Sequence, residues 1–296
     1  MLARLRRTML YAPGNNPAMV KDVHVYGPDS VMFDLEDSVP PAEKDAARLL
    51  VWSALRSLDY GAVETIIRIN ALDTPWGARD VEAAVSSGVD AIRVPKTETP
   101  EELVAVERLV EKAEARFGRE AGSVRLVAAI EGPLGLINCY DIARASRRLV
   151  AIALAAEDFV TALKTTRSAD GVELQEARGR IVVAARAAGV MAVDTVFTDV
   201  RDDEGFLREA RLAKQMGFDG KSVVNPLQVP LAHSVWAPTA EELRKARRVV
   251  QAARDAAARG LGVISLDGKM VDKPIVERAE RVVELARASG LAVEEA

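Results

Sequence analysis

The chain has 296 residues, which is enough for one (β/α)8 barrel with an appendage or for two smaller domains. Hydrophobic residues make up 49% of it and support a large core, while the formal net charge of −4 argues against a nucleic-acid partner. A single cysteine, Cys139, excludes an intrachain disulfide and a cysteine metal cluster. No apolar run reaches membrane length and the N-terminus lacks a signal core, so we expect a cytoplasmic enzyme without a membrane partner.

Short apolar segments alternate with amphipathic segments along most of the chain. Eight strands are predicted, over residues 7–12, 31–35, 65–69, 91–94, 126–130, 151–158, 190–196 and 220–224. Helices are predicted between them, over residues 17–27, 41–58, 78–87, 100–117, from 133 onward, 172–188 and 204–216. This alternation predicts an α/β fold, a parallel TIM barrel whose site lies at the carboxyl ends of the strands. A doubly wound open sheet is the alternative, because sequence alone does not prove closure.

A C-terminal extension follows the predicted barrel domain, with residues 1–237 assigned to the barrel and residues 238–296 to the extension. Thr239 and Glu242 predict a capping box at the start of a helix that runs to Gly260. Residues 261–271 are predicted to form a hairpin that turns at Asp267 and Gly268, and a last helix begins at residue 274. The extension is a candidate lid or, alternatively, a packing element.

Charged residues stand at the carboxyl ends of five successive predicted strands. They are Glu36 and Asp37 after the second strand, Arg68 in the third, Lys96 after the fourth, Glu131 after the fifth, and Glu157 and Asp158 at the end of the sixth. A guanidinium and several carboxylates on one barrel face predict a site for a metal ion and an anionic substrate. Carboxylate ligands without histidine or thiolate favour Mg2+, with Mn2+ as the alternative. Each acid could instead cap the helix that follows it.

Several strings in the chain, taken in order, resemble the citrate lyase beta subunit family. They are RRTMLYAPGNNPAM, VMFDLEDSV, IIRIN, AIRVPKTE, AAIEGPLG, ALAAEDF and GFDGKSVVNPLQV. The terminal GKMVDKPIVERA resembles the lid segment shared with malyl-CoA and citramalyl-CoA lyases. The resemblance covers almost the whole chain and implies a TIM-barrel lyase that cleaves a citryl thioester, carried by CoA or by an acyl carrier, through retro-Claisen chemistry. Ala155 stands where the family usually has glycine.

The resemblance also implies roles for individual residues. In such families the acid of the AAIE string and the second acid of the ED string bind magnesium. Here these acids are Glu131 and Asp158, and Glu131 is also expected to contact the substrate. Arg68 contacts the substrate, and Asp37 lies near the metal-bound waters. Asp272, in a lid supplied by a neighbouring subunit, completes the site, which implies a homotrimer with shared active sites.

Four residues and the substrate have alternative interpretations. Arg68 is alternatively a buried arginine that pairs with an acid of the barrel, and Asp272 alternatively caps the helix that Pro274 opens. Lys96 either holds a CoA phosphate or sits on the rim of the site. Asn225 either contacts the substrate or forms ordinary Asn-Pro turn structure. A malyl-CoA or citramalyl-CoA type lyase is the second functional hypothesis, and a non-catalytic partner protein that binds CoA thioesters is the third. The other citrate lyase subunits are candidate partners.

Overall fold

Eight parallel strands close into a barrel in the computed structural model, which describes residues 4–258 and 264–291. The strands are β1 (Thr8–Pro13), β2 (Ser30–Asp34), β3 (Glu64–Arg68), β4 (Ala91–Val94), β5 (Arg125–Ile130), β6 (Leu149–Leu154), β7 (Met191–Asp194) and β8 (Gly220–Val223). Each strand pairs with the next along the chain, and β1 also pairs with β8, which closes the barrel. The predicted TIM barrel is confirmed, and the open-sheet alternative is wrong.

Helices fill the connections between the strands. They are α1 (Pro17–Asp22), α2 (Lys44–Ser57), α3 (Gly77–Ser87), α4 (Pro100–Phe117), α5 (Pro133–Ile137), α6 (Cys139–Arg144), α7 (Ala156–Ala162), α8 (Gln175–Ala188), α9 (Asp203–Met216) and α10 (Gln228–Trp236). Local signals define their ends. The predicted capping box is present at the start of α4, where Thr99 and Glu102 each accept the other's backbone N–H. Gly189 ends α8 with a φ of 75°, a conformation that suits glycine.

The barrel interior changes from apolar to charged toward the carboxyl ends of the strands. Its apolar layer contains Met9, Met32, Ile66, Ala91, Val127, Ala151, Ala153 and Val193. Successive side chains of a strand alternate between faces, so the residue two positions further on points inward as well. For β2, β3 and β4 these residues are Asp34, Arg68 and Arg93, which are neighbours in the strand register. A charged layer therefore covers the apolar core on the side of the predicted site.

The sixth strand ends earlier than predicted. β6 stops at Leu154, and Glu157 and Asp158 lie in the first turn of α7, not at the end of a strand. The backbone N–H of Ala155 still donates to the carbonyl of Ile130 on β5. The backbone N–H of Ala156 instead donates to Thr195 Oγ1 at 2.9 Å. The chain therefore leaves the sheet at Ala155, and the acid pair is presented by a helix.

Helix α10 was not predicted from the sequence. Its start is fixed by Gln228, whose side-chain oxygen accepts the backbone N–H groups of Val224 and Asn225. Pro230 falls in the first turn, where its missing N–H leaves no intrahelical bond unmade. The start of α10 therefore depends on hydrogen bonds between the end of β8 and a helix side chain. A periodic apolar pattern in the sequence does not indicate such bonds.

The chain divides into two compact units, Arg6–His233 and a second built mainly from Ser234–Ala296. The second contains α11 (Ala240–Ala258), the antiparallel pair β9 (Ile264–Leu266) and β10 (Lys269–Val271), and α12 (Lys273–Ala288). The predicted hairpin turn is confirmed, with positive φ at Asp267 and Gly268 as a type I′ turn requires. Residues 259–263, which hold the predicted end of the preceding helix and the start of the hairpin, lie outside the described residues. The predicted domain boundary at residue 237 stays a prediction.

Candidate active site

Arg68 is the centre of a buried ion-pair cluster in the charged layer of the barrel. Its Nε and Nη2 donate to the two carboxylate oxygens of Asp34, each at 2.7 Å. Its Nη1 lies 2.8 Å from Glu36 Oε2. Asp34 also accepts the backbone N–H groups of Glu36 and Ser38 at 2.9 and 3.1 Å. The loop after β2 and the guanidinium of β3 are thus held by one carboxylate, and the orientation of Arg68 is fixed.

The electrostatics of this cluster keep Arg68 and Asp34 charged. Burial opposes ionisation of Asp34, but the hydrogen bonds and the charge of Arg68 outweigh it and lower the pKa of Asp34. Burial also opposes the charge on Arg68, yet the electrostatic influence of Tyr11, Asp34 and Glu36 raises its pKa. The pKa of Glu36 is raised, chiefly because it is buried. Arg68 is therefore a fixed, permanently charged donor at the cavity wall, and its contact with substrate stays a prediction.

Lys96 lies beside the same acids. Its ammonium is 2.5 Å from Glu36 Oε1 and 3.3 Å from Asp37 Oδ1. Burial opposes its charge, but Glu36 and Asp37 raise its pKa. Lys96 has a φ of 45°, which is uncommon for a residue other than glycine. The strand-end acids thus hold Lys96 on the rim, and the prediction that it binds a CoA phosphate stays a prediction.

Glu131 is a buried carboxylate that lacks donors. It is 3% exposed, and neither of its oxygens has a hydrogen-bond partner in the part of the chain that the structure describes. Burial raises the pKa of Glu131 to about 7. The charge of Arg93 opposes the shift and that of Glu36 adds to it, while the nearby backbone N–H of Lys96, which does not reach hydrogen-bond geometry, also opposes it. An ionised carboxylate in such a place is unfavourable unless a cation or a donor compensates it. Glu131 is therefore suited to hold a metal ion.

A glycine after Glu131 lets the following helix lie close to the end of β4. A Cβ on Gly135 of α5 would stand 2.4 Å from the backbone oxygen of Thr97, closer than any side chain allows. The side chain of Asn138 at the end of α5 also donates to the carbonyl of Glu98 at 2.8 Å. The EGPLG string thus packs the segment after Glu131 against the segment after Lys96, which brings these two strand ends together.

The raised pKa of Glu131 predicts a pH dependence of stability in the metal-free protein. Its pKa rises from 4.5 to about 7 on folding, so between these values the folded state holds a proton that the unfolded state has lost. The free energy of unfolding should therefore fall as the pH rises through this interval. Glu131→Gln should remove this fall and exceed the wild type in stability at pH 8 by up to about 3 kcal/mol. Urea unfolding at pH 5 and pH 8 measures both proteins, and parallel pH dependences would contradict the prediction.

Asp158 is half-buried on the first turn of α7, beside two cavities. Its neighbour Glu157 is exposed and is turned to Arg167, whose Nη1 donates to it at 2.9 Å. Of the two acids in the string, Asp158 is thus the one that forms no ion pair with the described residues. The distinction agrees with the prediction that Asp158 and not Glu157 is the metal ligand, which stays a prediction.

Two cavities open at the carboxyl end of the barrel, and both are lined by Asp37 and Asp158. The smaller has a volume of about 440 Å³, and its polar lining includes Tyr11, Asp34, Arg68, Arg93, Thr195 and Ser222. The larger has a volume of about 930 Å³, and its charged lining includes Glu36, Lys44, Lys96, Glu98, Glu102 and Glu131. The predicted residues Asp37, Arg68, Lys96, Glu131 and Asp158 are thus brought to one end of the barrel.

The donor set at this end fits magnesium. Among the described residues, no cluster of three or more histidine, cysteine, aspartate or glutamate side chains is arranged to hold a metal ion. Glu131 and Asp158 line the same larger cavity. Mg2+ characteristically takes one or two protein carboxylates and completes its octahedron with water and substrate oxygens. Two acids, one of them buried without donors, are consistent with that ion and not with a structural zinc site.

Two of the remaining predicted residues have local structural roles. The side chain of Asn225 accepts the backbone N–H of Leu227 at 2.9 Å, so it forms a turn that connects β8 to α10. Asp272, in the second unit, caps α12 by accepting the N–H of Ile275 at 3.2 Å. These contacts are the alternatives that the sequence left open. A role of either residue at the substrate stays a prediction.

Three residues of the site were missed from the sequence, namely Asp34, Arg93 and Tyr11. Asp34 is the last residue of β2 and Arg93 lies inside β4, and each lies two positions after a core residue. That spacing places them on the inward face and was the available signal. The guanidinium of Arg68 lies 5.2 Å from the Tyr11 ring and that of Arg93 lies 5.8 Å from the same ring. Tyr11 thus contacts both arginines.

A family model described as HpcH/HpaI aldolase/citrate lyase matches residues 7–226, which is nearly the whole barrel. The chain belongs to this family. It is 53% identical over 288 residues to the citrate lyase subunit beta of Leuconostoc mesenteroides subsp. cremoris, with 97% of this chain and 95% of the relative covered. It is 34% identical over 286 residues to a (3S)-malyl-CoA thioesterase of Cereibacter sphaeroides, again with 97% and 95% covered.

A solved structure gives the same fold. The protein CitE from Mycobacterium tuberculosis, in complex with magnesium, acetoacetate and coenzyme A, is similar with a TM-score of 0.78 and 30% identity. The match covers 96% of this chain and 98% of that one. None of the described helices combines the length and the apolar character that crossing a membrane requires.

Proposed function

We propose that this chain is a Mg2+-dependent carbon–carbon lyase that cleaves a citryl thioester to oxaloacetate and an acetyl thioester. The observation that carries the proposal is Glu131, a buried carboxylate without donors, in a cavity that Asp158 also lines. The family and the relative named citrate lyase subunit beta, at 53% identity, support the reaction class. The magnesium and coenzyme A in the CitE structure support the metal and the thioester carrier.

Glu131 and Asp158 would hold the metal. Held by these two residues, Mg2+ would supply Lewis-acid chemistry that lowers the pKa of the substrate hydroxyl. The two side chains are carried by separate βα connections, after β5 and in α7, and both line the larger cavity, where the substrate oxygens would bind. Binding of a cation also relieves the buried charge of Glu131, because the cation replaces the missing donors.

Arg68 would stabilise the negative charge that develops on the thioester oxygen. It is held by Asp34 and Glu36, so its position costs no reorganisation when charge develops. One well-placed donor in a dry site contributes about 3–4 kcal/mol to transition-state stabilisation. The bidentate bond to Asp34 sets the plane of the guanidinium.

Asp37 is the group best placed to handle the proton. It is exposed at the mouth of both cavities and lies 3.3 Å from Lys96 and 3.9 Å from Arg68. Proton transfer needs a group within hydrogen-bond reach of the substrate or of one intervening water. In the proposed reaction Asp37 accepts the proton of the substrate hydroxyl, directly or through one water.

The test is a direct assay of the purified chain with Mg2+. Citryl-CoA, a citryl-acyl-carrier, malyl-CoA and citramalyl-CoA are supplied separately, and release of the keto acid is followed. We expect oxaloacetate from a citryl thioester as the fastest reaction. Absence of keto acid from every substrate, with Mg2+ bound, would overturn the catalytic proposal in favour of a non-catalytic thioester-binding partner. Faster glyoxylate or pyruvate release would favour a malyl-CoA or citramalyl-CoA lyase, the second candidate. The 34% identical (3S)-malyl-CoA thioesterase supports malyl thioesters as a substrate class.

We further propose that the chain works as a homotrimer, with Asp272 of one subunit completing the site of another. Asp272 lies between β10 and α12, in the GKMVDKP string that resembles a lid segment. A closing lid excludes water and brings a proton-transfer group late in the cycle. Assembly with other citrate lyase subunits is a further proposal, and co-purification with them tests it.

Subunit mixing tests the shared site. Asp272→Asn and Glu131→Gln proteins should each be inactive, and unfolding and refolding them together should restore activity because some sites then receive both intact residues. Activity after mixing is measured against each parent treated alike. Full activity of Asp272→Asn on its own would leave Asp272 as the helix cap alone. An inactive mixture would limit each site to a single subunit.

A further inference from the structure

Arg93 is a buried arginine with free donors in the charged layer of the barrel. Its side chain is 1% exposed, and its Nε and Nη1 have no hydrogen-bond partner among the described residues. Arginine carries five N–H donors and cannot be deprotonated in proteins, so burial without acceptors is unfavourable. Such an arrangement suits an acceptor that arrives with a ligand.

The surroundings of Arg93 differ from those of Arg68, although the two are neighbours in the strand register. Arg68 is neutralised by Asp34 and Glu36 at 2.7 and 2.8 Å. Within the described ranges, Arg93 forms no ion pair, and its guanidinium lies 5.8 Å from the ring of Tyr11. Asp34 and Glu36 thus hold Arg68 in ion pairs. The charge of Arg93 acts on Glu131 without an ion pair, and two of its nitrogens keep their donors for a ligand.

A second buried donor faces the same cavity. Ser222 of β8 is 1% exposed, and its Oγ has no hydrogen-bond partner among the described residues. Arg93 and Ser222 both line the smaller cavity of about 440 Å³, together with Tyr11, Arg68 and Asp158. Two unpartnered buried donors in one cavity, one of them cationic, fit an anion with more than one acceptor oxygen. A planar carboxylate matches the guanidinium fork.

The proposed substrate supplies such a carboxylate. A citryl thioester carries one carboxylate beside the tertiary hydroxyl and a second on a carboxymethyl arm, which stays in oxaloacetate after cleavage. The roles proposed for Glu131, Asp158 and Arg68 use the hydroxyl, the first carboxylate and the thioester oxygen, and they leave the second carboxylate without a partner. Citramalyl and malyl thioesters carry a methyl group or a hydrogen in place of that arm.

We propose that Arg93, assisted by Ser222, binds the carboxylate of the carboxymethyl arm and makes the site selective for citryl over citramalyl and malyl thioesters. This proposal rests on the proposed function and names the residue that would determine its substrate specificity. The bound carboxylate compensates the buried charge of Arg93, so its affinity comes from a group that the free protein leaves unsatisfied. A substrate that lacks the arm leaves those donors unsatisfied and is rejected for that reason.

The kinetic test compares two substrates. Arg93→Met keeps a long buried side chain without donors, Arg93→Lys keeps the charge without the fork, and Ser222→Ala removes one hydroxyl. Arg125→Met, an exposed residue at the start of the adjacent β5, is the matched control. In Arg93→Met, the ratio of kcat/KM for citryl-CoA to that for citramalyl-CoA should fall by about 30-fold, since a hydrogen-bonded charge pair is lost. Smaller losses are expected for Arg93→Lys and Ser222→Ala, and an unchanged ratio for Arg125→Met.

Equal losses for both substrates in Arg93→Met would overturn the inference, because a structural or general catalytic role affects both alike. Failure of the wild type to cleave citryl-CoA would instead reject the proposed function. In that case, ligand binding tests the role of Arg93 without any need for turnover. Oxaloacetate and pyruvate differ by one carboxylate, and calorimetry measures each on the Mg2+-loaded proteins. Arg93→Met should lower the affinity for oxaloacetate by about tenfold or more and leave the affinity for pyruvate unchanged. An equal loss of affinity for both ligands would contradict the proposed subsite. Circular dichroism and thermal unfolding verify that each variant is folded.

Discussion

Glu131→Gln and Asp158→Asn are each expected to abolish turnover while leaving the barrel folded. Strand-end and loop acids on the catalytic face of a barrel serve function more than stability. Both substitutions keep the size of the side chain and remove the charge that a hard cation needs. For Glu131 the folded protein should become more stable, because an unpartnered buried carboxylate is replaced by a neutral amide. Turnover with citryl-CoA and Mg2+ titration by calorimetry measure the two effects.

The control for these variants is Glu157→Gln. Glu157 precedes Asp158 in the chain but is turned to Arg167 at 2.9 Å, so its loss should change Mg2+ affinity little. Weakened Mg2+ binding in Glu157→Gln with normal binding in Asp158→Asn would reverse the assignment of the two acids. Unchanged affinity in Glu131→Gln would remove Glu131 from the metal site, and with it the observation on which the proposed function stands.

Arg68→Lys is expected to lower kcat by more than about tenfold with little change in Mg2+ binding. Lysine keeps the positive charge but has no planar fork, so it cannot repeat the paired bonds to Asp34 at 2.7 Å. Without them, the donor loses the fixed direction toward the thioester oxygen. The effect should appear in kcat and not in KM, because charge on that oxygen develops only in the transition state.

Arg116→Lys is the matched control for this second prediction. Arg116 is exposed on α4 and pairs with Glu82 at 3.0 Å, where a surface ion pair contributes little. Its replacement should leave both kcat and Mg2+ binding unchanged. A near-normal kcat for a well-folded Arg68→Lys protein would mean that Arg68 only joins the loops after β2 and β3.

Much of the fold could be predicted because its signals are local. Alternation of apolar and amphipathic segments announced the eight strands, and the capping box at Thr99 and the glycine at residue 189 marked helix ends. Closure of the barrel was not local, because it depends on β1 pairing with β8 across the whole domain. The end of β6 was misplaced for the same reason: the N–H of Ala156 donates to Thr195, the residue that follows β7.

The sequence by itself determined which residue types reach the catalytic face, since a charged residue after a buried strand must lie at that strand's end. Asp37, Arg68, Lys96, Glu131 and Asp158 were found in this way, and all five line the two cavities. Only the tertiary structure decided what each of them can do. Pairing, burial and pKa depend on side chains from other strands, which sequence spacing does not reveal.

The clearest case is the contrast between three neighbouring charges. Arg68 is held by Asp34 from the adjacent strand, whereas Arg93 lies next to it in the register and keeps two nitrogens without partners. Glu131 is as buried as they are, yet it has no donor, and its pKa rises to about 7. In the sequence all three are charged residues within or directly after apolar runs. Their different chemistry arises because desolvation and ion pairing are set by neighbours across the barrel.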